Sequence, residues 1–390
     1  MELFKRKTEN TDSVPKAKLS IKQKKAKSLP PFITIDVGSH DVKVMYATYA
    51  GKALTVKKCA CIELPEKVVV DGKIVDETAL VNAVMHVIQT HKISVSGAVV
   101  TLASSEVIQR EITVPVVSDD NLKKVVMYEM AKFLPVDADT YAIQHEVLEN
   151  INDENGIAQL RVSVSAMPKA IAKKYYEFVS KLGLKPIALC TNSNSVANLM
   201  LAETYCDAPI ALGTNILLDM GSAHFGVTLF EEGTLLYNNI LNVGGKEIDE
   251  LIMNYADVGL LDAEKLKKHN LSVNNVSNLY SAYVSLDIRN SSYGTKEERI
   301  MQEIMSVFSK WVTAIDSFAK YYLSRDDNNT IDAIYIYGGS SYINGIDELL
   351  EKQLKIKVHR VDALGCLKGS LGDGGGLCKY INNIGATIRF

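Results

Sequence analysis

Alternating apolar and polar positions predict strands at two widely separated places in the chain. Residues 32–38, FITIDVG, form an apolar run that ends at an aspartate and a glycine, and DVKVMYATY then alternates. Residues 215–222, NILLDMGS, have the same outline and are followed by the apolar FGVTLF. A strand, a turn containing glycine and a returning strand are typical of a β-hairpin. The pattern therefore predicts one such hairpin near the start of each half of the chain.

Apolar residues at helical spacing predict helices between the strands. DETALVNAVMHVIQTHKI at 76–93 carries an aspartate near its start, and SDDNLKKVVMYEMAKFLP at 118–135 runs from a serine N-cap to a proline. PKAIAKKYYEFVSKLGL at 168–184 opens on a proline and ends near a glycine. NIGATIRF at 383–390 is predicted to be a strand. The chain is thus expected to mix helices and strands along its whole length.

Composition narrows the class of protein. A chain of 390 residues with 47% hydrophobic and 23% charged residues is ordinary for a soluble globular protein of two domains or one bilobed unit. The net charge of −3 argues against a nucleic-acid partner. No apolar run is long enough to cross a membrane. The six cysteines lack paired CxxC spacing, so we expect reduced thiols in a cytosolic protein.

The charge is unevenly distributed. Residues 1–30 contain nine lysines and arginines against three acidic residues and almost no large apolar side chains. Such a composition cannot build a core, so we expect 1–30 to be a disordered basic arm. A lysine-rich arm can rest on an anionic membrane surface, with about 1 kcal/mol contributed by each charge near it. The alternative is a solvated tail without a partner.

The two predicted hairpins share an Asp-x-Gly-Ser turn. An aspartate at the end of a buried strand costs several kcal/mol if it is unpaired, so its occurrence twice calls for a reason. Facing turns of this kind can hold a polyphosphate, because glycines let backbone N–H groups approach its oxygens, hydroxyls donate to it, and the carboxylates hold hydrated Mg²⁺. The alternative is two turn aspartates that cap their own backbones. The six residues are Asp36, Gly38, Ser39, Asp219, Gly221 and Ser222.

Two further glycine pairs follow in the second half. In AIYIYGGSSYINGIDELLEKQL, at 333–354, a predicted strand ends in Gly-Gly-Ser. In NVGGKEIDELI, at 242–252, a glycine pair precedes a predicted helix. Together with the repeated turns, these motifs resemble the phosphate and adenosine motifs of actin, sugar kinases and heat-shock chaperones. The resemblance implies an α/β protein with the actin-like ATPase fold. This fold has two lobes, each similar to ribonuclease H, and the first lobe would carry an αβ insert.

The resemblance also implies a set of site residues for ATP and Mg²⁺. Mg²⁺ would lie at Asp36 and Asp219, held through water. Lys43, on the returning strand of the first hairpin, could reach a phosphate; its alternative is an outward-facing strand lysine. The nucleotide-binding residues implied are Asp36, Gly38, Ser39, Lys43, Asp219, Gly221, Ser222, Gly244, Gly245, Lys246, Gly338, Gly339 and Ser340.

Within that superfamily the order of motifs and the αβ segment at about 66–150 look like the PilM family of type IV pilus assembly. The resemblance implies a first actin-like lobe at 31–213 that includes this inserted subdomain. It implies a second lobe at 214–390 with a helical subdomain at about 246–329.

The resemblance to the PilM family implies that the protein is a cytoplasmic scaffold at the inner face of the cell membrane. The partner implied is the cytoplasmic N-terminus of a PilN-type membrane protein, with the pilus motor ATPase and platform protein as further contacts. Many hydrolysing relatives orient water with a carboxylate or glutamine in the segment matching TNSNSVANLM, at 191–200. Asn192 and Asn194 cannot accept a proton as a carboxylate does. Asn239 stands at about the place where PilM relatives often show an arginine. We therefore expect ATP binding with at most slow turnover.

Two other functions fit the same resemblance. An FtsA-like division protein would polymerise beneath the membrane and would carry an amphipathic C-terminal helix. A small-molecule kinase or phosphatase of the same fold would need an aspartate base facing an acceptor hydroxyl, and the sequence offers no candidate not already explained. The PilM-like scaffold is the function that the sequence favours.

Overall fold

The computed structural model describes residues 29–153, 155–273, 293–369, 371 and 376–388. The helices and strands belong to one unit that begins at Pro30. The predicted disordered arm lies almost wholly outside the described residues. Among those described, no helix combines the length and the apolar character needed to cross a bilayer.

A six-stranded sheet contains the first predicted hairpin. Its order is β10-β6-β1-β2-β3-β16, with β2 antiparallel to β1 and β6 parallel to it. The hairpin prediction for the first half is therefore confirmed. The strands are β1 (Phe32–Val37), β2 (Asp41–Ala50), β3 (Ala53–Glu63), β6 (Gly97–Leu102), β10 (Lys185–Thr191) and β16 (Leu367–Lys368).

A five-stranded sheet repeats this plan in the second half of the chain. Its order is β13-β12-β11-β14-β15, with β12 antiparallel to β11 and β14 parallel to it. Each sheet thus places an aspartate-bearing strand between its hairpin partner and a parallel strand, and the second hairpin is confirmed. The strands are β11 (Thr214–Met220), β12 (Phe225–Glu231), β13 (Thr234–Leu241), β14 (Ala333–Tyr337) and β15 (Lys357–Arg360).

A third sheet of three strands lies between these two in sequence. Its order is β7-β9-β8, and it spans 108–168. This range overlaps the predicted insert at 66–150, and β6, which also falls within 66–150, pairs with β1 in the six-stranded sheet. The strands are β7 (Ile108–Pro115), β8 (Tyr141–Asn152) and β9 (Ala158–Pro168), and a separate two-stranded hairpin is β4 (Val69–Val70) and β5 (Lys73–Ile74).

The helices follow the predicted periodicity in the first half. The helices expected at 76–93, 118–135 and 168–184 are confirmed, within one residue at the start and three or four at the end. Asp76 caps the first by accepting a hydrogen bond from the Ala79 N–H at 2.9 Å. The helices are α1 (Glu77–Thr90), α2 (Asp119–Ala131), α3 (Lys169–Lys181), α4 (Asn192–Thr204), α5 (Lys246–Ala256), α6 (Leu260–Asn270), α7 (Tyr293–Leu323), α8 (Ile346–Leu354) and α9 (Ile381–Thr387).

The strand predicted at 383–390 is wrong, because α9 occupies Ile381–Thr387. The segment is rich in β-branched residues, which favour strands, but all seven residues of α9 are buried against other elements. A Cβ on Gly385 would collide with the Ser195 backbone of α4, so α9 packs there at very close range. Tertiary packing therefore overrides local propensity at this position.

The hydrophobic core that surrounds α9 is shared by the two large sheets. Side chains from β2, β3, α4, β11, β12 and α9 form one continuous buried cluster. It includes Met45 from the first sheet, Leu217 from the second, and Ile384 from α9. The helix α9 is therefore packed against both large sheets.

Candidate functional site

A cleft of about 1030 Å³ opens where β1 and β11 end. Residues from both large sheets and from the three-stranded sheet line it. Ten predicted site residues are among them, namely Asp36, Gly38, Ser39, Lys43, Asp219, Gly221, Ser222, Gly338, Gly339 and Ser340. Gly244, Gly245 and Lys246 are not part of the lining.

The two predicted carboxylates converge on one amide group. Asn382 Nδ2, on α9, donates to Asp219 Oδ2 at 3.0 Å and to Asp36 Oδ2 at 3.4 Å. Tyr337 donates from its hydroxyl to Asn382 Oδ1 at 3.2 Å. Because the amide oxygen faces the tyrosine, the amide nitrogen faces the carboxylates. Turns that are 183 positions apart in the chain are thus joined through a third segment.

Burial dominates the electrostatics of this pair. Asp36 is only 3% exposed, and burial, with the neighbouring Asp219 and Asp41, raises its pKa to about 6 against the opposing pull of Lys43. Burial likewise raises the pKa of Asp219, although Asn382 and Lys43 act in the other direction. A positive charge or a hydrogen-bond donor that enters between the two carboxylates would therefore stabilise their ionised forms.

Lys43 provides the positive charge in the first turn. It lies opposite Asp36 in the β1–β2 register, and its Nζ is 2.5 Å from Asp41 Oδ1 and 3.6 Å from Asp36 Oδ2. Burial works to lower the pKa of Lys43, but Asp41 and Asp36 outweigh it and hold the pKa well above its ordinary value. The side chain is 13% exposed and lines the cleft; that it contacts a phosphate stays a prediction.

The glycine pair at 244–245 supports the second turn from behind. The Gly245 N–H donates to the Gly221 carbonyl at 3.1 Å, and the Lys246 N–H donates to the Ser222 carbonyl at 2.9 Å. A Cβ on Gly244 would lie 2.7 Å from the Ala223 carbonyl carbon, so only glycine permits this approach. These three residues hold the turn in place from outside the cleft lining.

The segment predicted to receive the nucleoside also faces the cleft. Gly338 has φ of +88°, and a Cβ there would lie 2.6 Å from Asp219 Oδ1. A Cβ on Gly339 would meet nothing within 4 Å, so the cleft has free space above this backbone. Ser340 Oγ donates to the Gly221 carbonyl at 3.4 Å and ties the segment to the second turn.

Two polar residues that line the cleft, Gln109 and Asn382, are absent from the set of site residues predicted from sequence. Gln109, on β7, receives a hydrogen bond from Ser193 at 2.6 Å, donates to Asn194 at 2.7 Å and accepts from Asn238 on β13. It therefore joins the three-stranded sheet, α4 and the five-stranded sheet at the cleft. No motif marks Gln109, and the Asn-Asn pair in INNIG is the single sequence signal that could have pointed to α9.

A second set of polar contacts closes another side of the cleft. His40 Nε2, in the first turn, lies 2.9 Å from Glu264 Oε1 on α6. Burial works to lower the pKa of His40, but the hydrogen bond and charge of Glu264 raise it overall. Lys268, one turn further along α6, lies 2.7 Å from Glu63 at the end of β3. Charged residues thus connect the first turn to the helical part of the second half.

The residues at the start of α4 are neutral, as the sequence indicated. Asn192 accepts a hydrogen bond from Thr101 at 2.8 Å and lies 3.4 Å from Asp219 Oδ2, to which its amide donates. Asn194 accepts from Gln109. Among the described cleft residues, Asp41, Glu63 and Glu264 each have a cationic or histidine partner.

Comparison with known proteins places the chain in a family. A family model described as type IV pilus assembly protein PilM matches residues 34–285. The chain belongs to the PilM family. A model described as cell division protein FtsA matches residues 216–369.

Solved structures support the fold of this PilM-family chain. A structure titled "PilM-PilN type IV pilus biogenesis complex" superposes with a TM-score of 0.72 at 18% identity, covering 92% of this chain and 96% of that one. The ethanolamine utilization protein EutJ from Carboxydothermus hydrogenoformans has a TM-score of 0.52 at 14% identity, with 92% and 89% covered. The chain has the actin-like ATPase fold, and the prediction of the fold class is confirmed.

Proposed function

We propose that this PilM-family protein is a cytoplasmic scaffold of type IV pilus assembly. It binds ATP with Mg²⁺ in the cleft and recruits the cytoplasmic N-terminus of a PilN-type membrane protein. The observation that carries the proposal is the convergence of Asp36 and Asp219 on one cleft in a chain of this family.

The cleft residues fit a magnesium-bound triphosphate. Two buried carboxylates whose pKa values are raised by burial are stabilised by an added cation. The open space at Gly339 leaves room for a nucleoside against the backbone. Asp36 and Asp219 would hold the hydrated Mg²⁺, while Lys43 and the backbone of the two turns would contact phosphate oxygens. When bound, the metal–nucleotide supplies positive charge and phosphate oxygens that both turns can contact.

The residues at the start of α4 favour slow turnover of ATP. Asn192 and Asn194 stand where many hydrolysing relatives carry a carboxylate or glutamine, and an amide cannot take a proton from water. Loss of a general base removes about 10²–10⁴-fold of rate. Nucleotide in this cleft would therefore act mainly by favouring a closed arrangement of the turns.

The helix α2 and the segments that flank it are the proposed surface for the PilN-type peptide. Large apolar side chains are exposed there, which marks an interaction surface. They are Met127 and Tyr128 on α2, and Val116, Phe133 and Val136 on the flanking segments. The solved PilM-PilN complex with the same fold supports this choice of partner. Binding to the PilN-type protein would place this protein at the inner face of the cell membrane. The pilus motor ATPase and the platform protein are further proposed contacts there.

Nucleotide binding is tested by titrating the protein with a fluorescent ATP analogue in MgCl₂ and in EDTA. We expect saturable binding that is strongest with Mg²⁺. The affinity should fall about tenfold or more in Asp219→Asn, because the variant loses roughly one contact to a charged group. Asp262→Asn, at an α6 side chain that is 62% exposed, is the matched control and should bind as wild type. Equal affinity in all three proteins, or no binding to wild type, would refute the nucleotide site.

Partner binding is tested by calorimetry with a synthetic N-terminal peptide of the PilN-type protein. Tyr128→Ser removes a side chain that is 69% exposed on α2 and should weaken binding. Tyr321→Ser removes one that is 57% exposed on α7 and should leave it unchanged. Absence of binding to wild type, with or without ATP, would end this part of the proposal.

The match of the FtsA family model to residues 216–369 supports a second candidate, a membrane-associated polymerising protein. Sedimentation with and without ATP separates the two. Filaments that form only with ATP would favour the FtsA-like function, and a soluble species that binds the peptide would favour the scaffold.

A further inference from the structure

Asn382 occupies an unusual place between two acids. Its side chain belongs to a residue that is 5% exposed, and its single amide nitrogen donates to both Asp36 and Asp219. Two buried carboxylates that share one donor repel each other, and the transfer of each one from water to the protein interior costs free energy. The amide nitrogen therefore lies where a positively polarised group gives the most stabilisation.

The helix that carries Asn382 is anchored to the first sheet. Asn383 donates from Nδ2 to the Thr34 carbonyl at 3.2 Å and to the Lys43 carbonyl at 3.1 Å. The contacts of Gly385 with the Ser195 backbone fix the helix against α4. With these anchors, α9 cannot slide without breaking the hydrogen bonds from the Asn383 side chain.

The side chain of Asn382 reaches the second sheet from this fixed base. Tyr337, on β14, donates to its oxygen, and Asp219, on β11, accepts from its nitrogen. Tyr337 is the residue paired with Asp219 in the β11–β14 register. The amide is thus oriented by one residue of the second sheet while it binds its neighbour.

We propose that Asn382 is a positioning residue that takes the place of a divalent cation between Asp36 and Asp219 and sets their spacing before any ligand binds. In this arrangement the carboxylate pair does not need metal to stay together. A cation that arrives with a nucleotide meets carboxylates already held at one distance. The link to the nucleotide rests on the proposed function, but the bridging role does not.

Thermal unfolding with and without MgCl₂, in the absence of nucleotide, tests the bridge. In EDTA, Asn382→Ala leaves two buried carboxylates without their shared donor, and Asn382→Asp adds a third, so both should unfold at lower temperature than wild type. MgCl₂ should raise the Tm of both variants by about 2–4 °C more than it raises that of wild type. The rise should be larger for Asn382→Asp.

Asn215→Ala is the matched control. Asn215 is 2% exposed and donates to the Ile210 carbonyl at 3.2 Å and to the Leu212 carbonyl at 2.6 Å, without contact to either aspartate. Its variant should lose stability with no rescue by MgCl₂ beyond that of wild type. This separates an electrostatic bridge from a merely structural asparagine.

Equal Mg²⁺ shifts in all four proteins would overturn the proposal, and so would failure of both Asn382 variants to fold in MgCl₂, because the cation should then replace the amide. Small-angle scattering gives a second measurement, since the variants in EDTA should show a larger radius of gyration that MgCl₂ reduces. Binding of ATP to wild type is measured separately. The nucleotide site can therefore fail while the bridge stands, and the reverse.

Discussion

The turn after Asp36 and the turn after Asp219 share a sequence motif, yet different contacts stabilise them. In the first turn, the ion pair of Lys43 with Asp41, beside Asp36, adds to backbone hydrogen bonds such as that from the Leu64 N–H to the His40 carbonyl. In the second turn, the supporting contacts are hydrogen bonds from the backbone of the Gly244–Lys246 segment and from Ser340 Oγ. The repeat therefore preserves the shape of the turn but not its means of support.

The strand register explains the difference. The residue paired with Asp36 on its hairpin partner is Lys43, whereas the residue paired with Asp219 is Gly226. The first carboxylate thus has a cation on its own hairpin. The second depends on donors from distant segments, namely Asn192 on α4 and Asn382 on α9. Three predictions separate the two modes of support.

Removal of the lysine should have the largest effect. Lys43→Met leaves the buried Asp36 and the partly buried Asp41 without their cation, which typically costs about 3–5 kcal/mol in the free energy of unfolding. Denaturant unfolding at pH 7 measures it. Lys320→Met, at a pair whose lysine is 73% exposed, is the control and should cost less than about 0.5 kcal/mol. A loss below about 1 kcal/mol for Lys43→Met would show that the first turn does not depend on its ion pair.

Removal of the first carboxylate, that of Asp36, should raise the free energy of unfolding at pH 7. Burial, then Asp219 and Asp41, raises the pKa of Asp36 from 3.8 to about 6 against the pull of Lys43, so the folded protein holds this proton more tightly than the unfolded chain does. The associated stability is fully present below pH 3.8 and is lost as the pH rises through about 6. Asp36→Asn cannot ionise. At pH 7 it should be more stable than wild type by up to about 3 kcal/mol.

Unfolding curves collected from pH 4 to pH 8 check this prediction. The advantage of Asp36→Asn should shrink towards the acid end of the range, because wild-type Asp36 is then protonated. Asp262→Asn, on the exposed surface of α6, should give no such pH-dependent gain. A variant that is less stable than wild type at pH 7 would mean that the contacts of Asp36 outweigh its burial.

Crowding behind the second turn should have the smallest effect of the three. Gly244→Ala forces a Cβ into the Ser222–Ala223 backbone, and such overpacking costs about 1–3 kcal/mol. Gly339→Ala is the matched control, because its Cβ would meet nothing within 4 Å and should change the free energy of unfolding by less than about 0.5 kcal/mol. The same Cβ would enter the cleft, so Gly339→Ala should weaken nucleotide binding. Equal stability of the two variants would contradict the backbone support inferred for the second turn.

Local patterns were enough to predict the two hairpins and three helices of the first half. Each depends on periodicity or on a turn motif that lies within about 20 residues of chain, where neighbouring side chains fix the backbone. The fold class was implied by the resemblance of the combined motifs to actin-like proteins. The insert range at 66–150 remains a prediction. The sequence-based view missed that β6 joins the six-stranded sheet, because parallel pairing depends on residues far away in the chain.

The sequence by itself determined that two aspartates would end two buried strands of an actin-like chain. Only the tertiary structure decided what connects them, since Asn382 lies 346 positions from Asp36 and 163 from Asp219 in sequence. Its segment has strand propensity, yet it is helical, and as a helix it buries all seven of its residues while pairing its own backbone groups. Local propensity is worth tenths of a kcal/mol per residue, whereas burial of such a segment is worth several, and burial prevails.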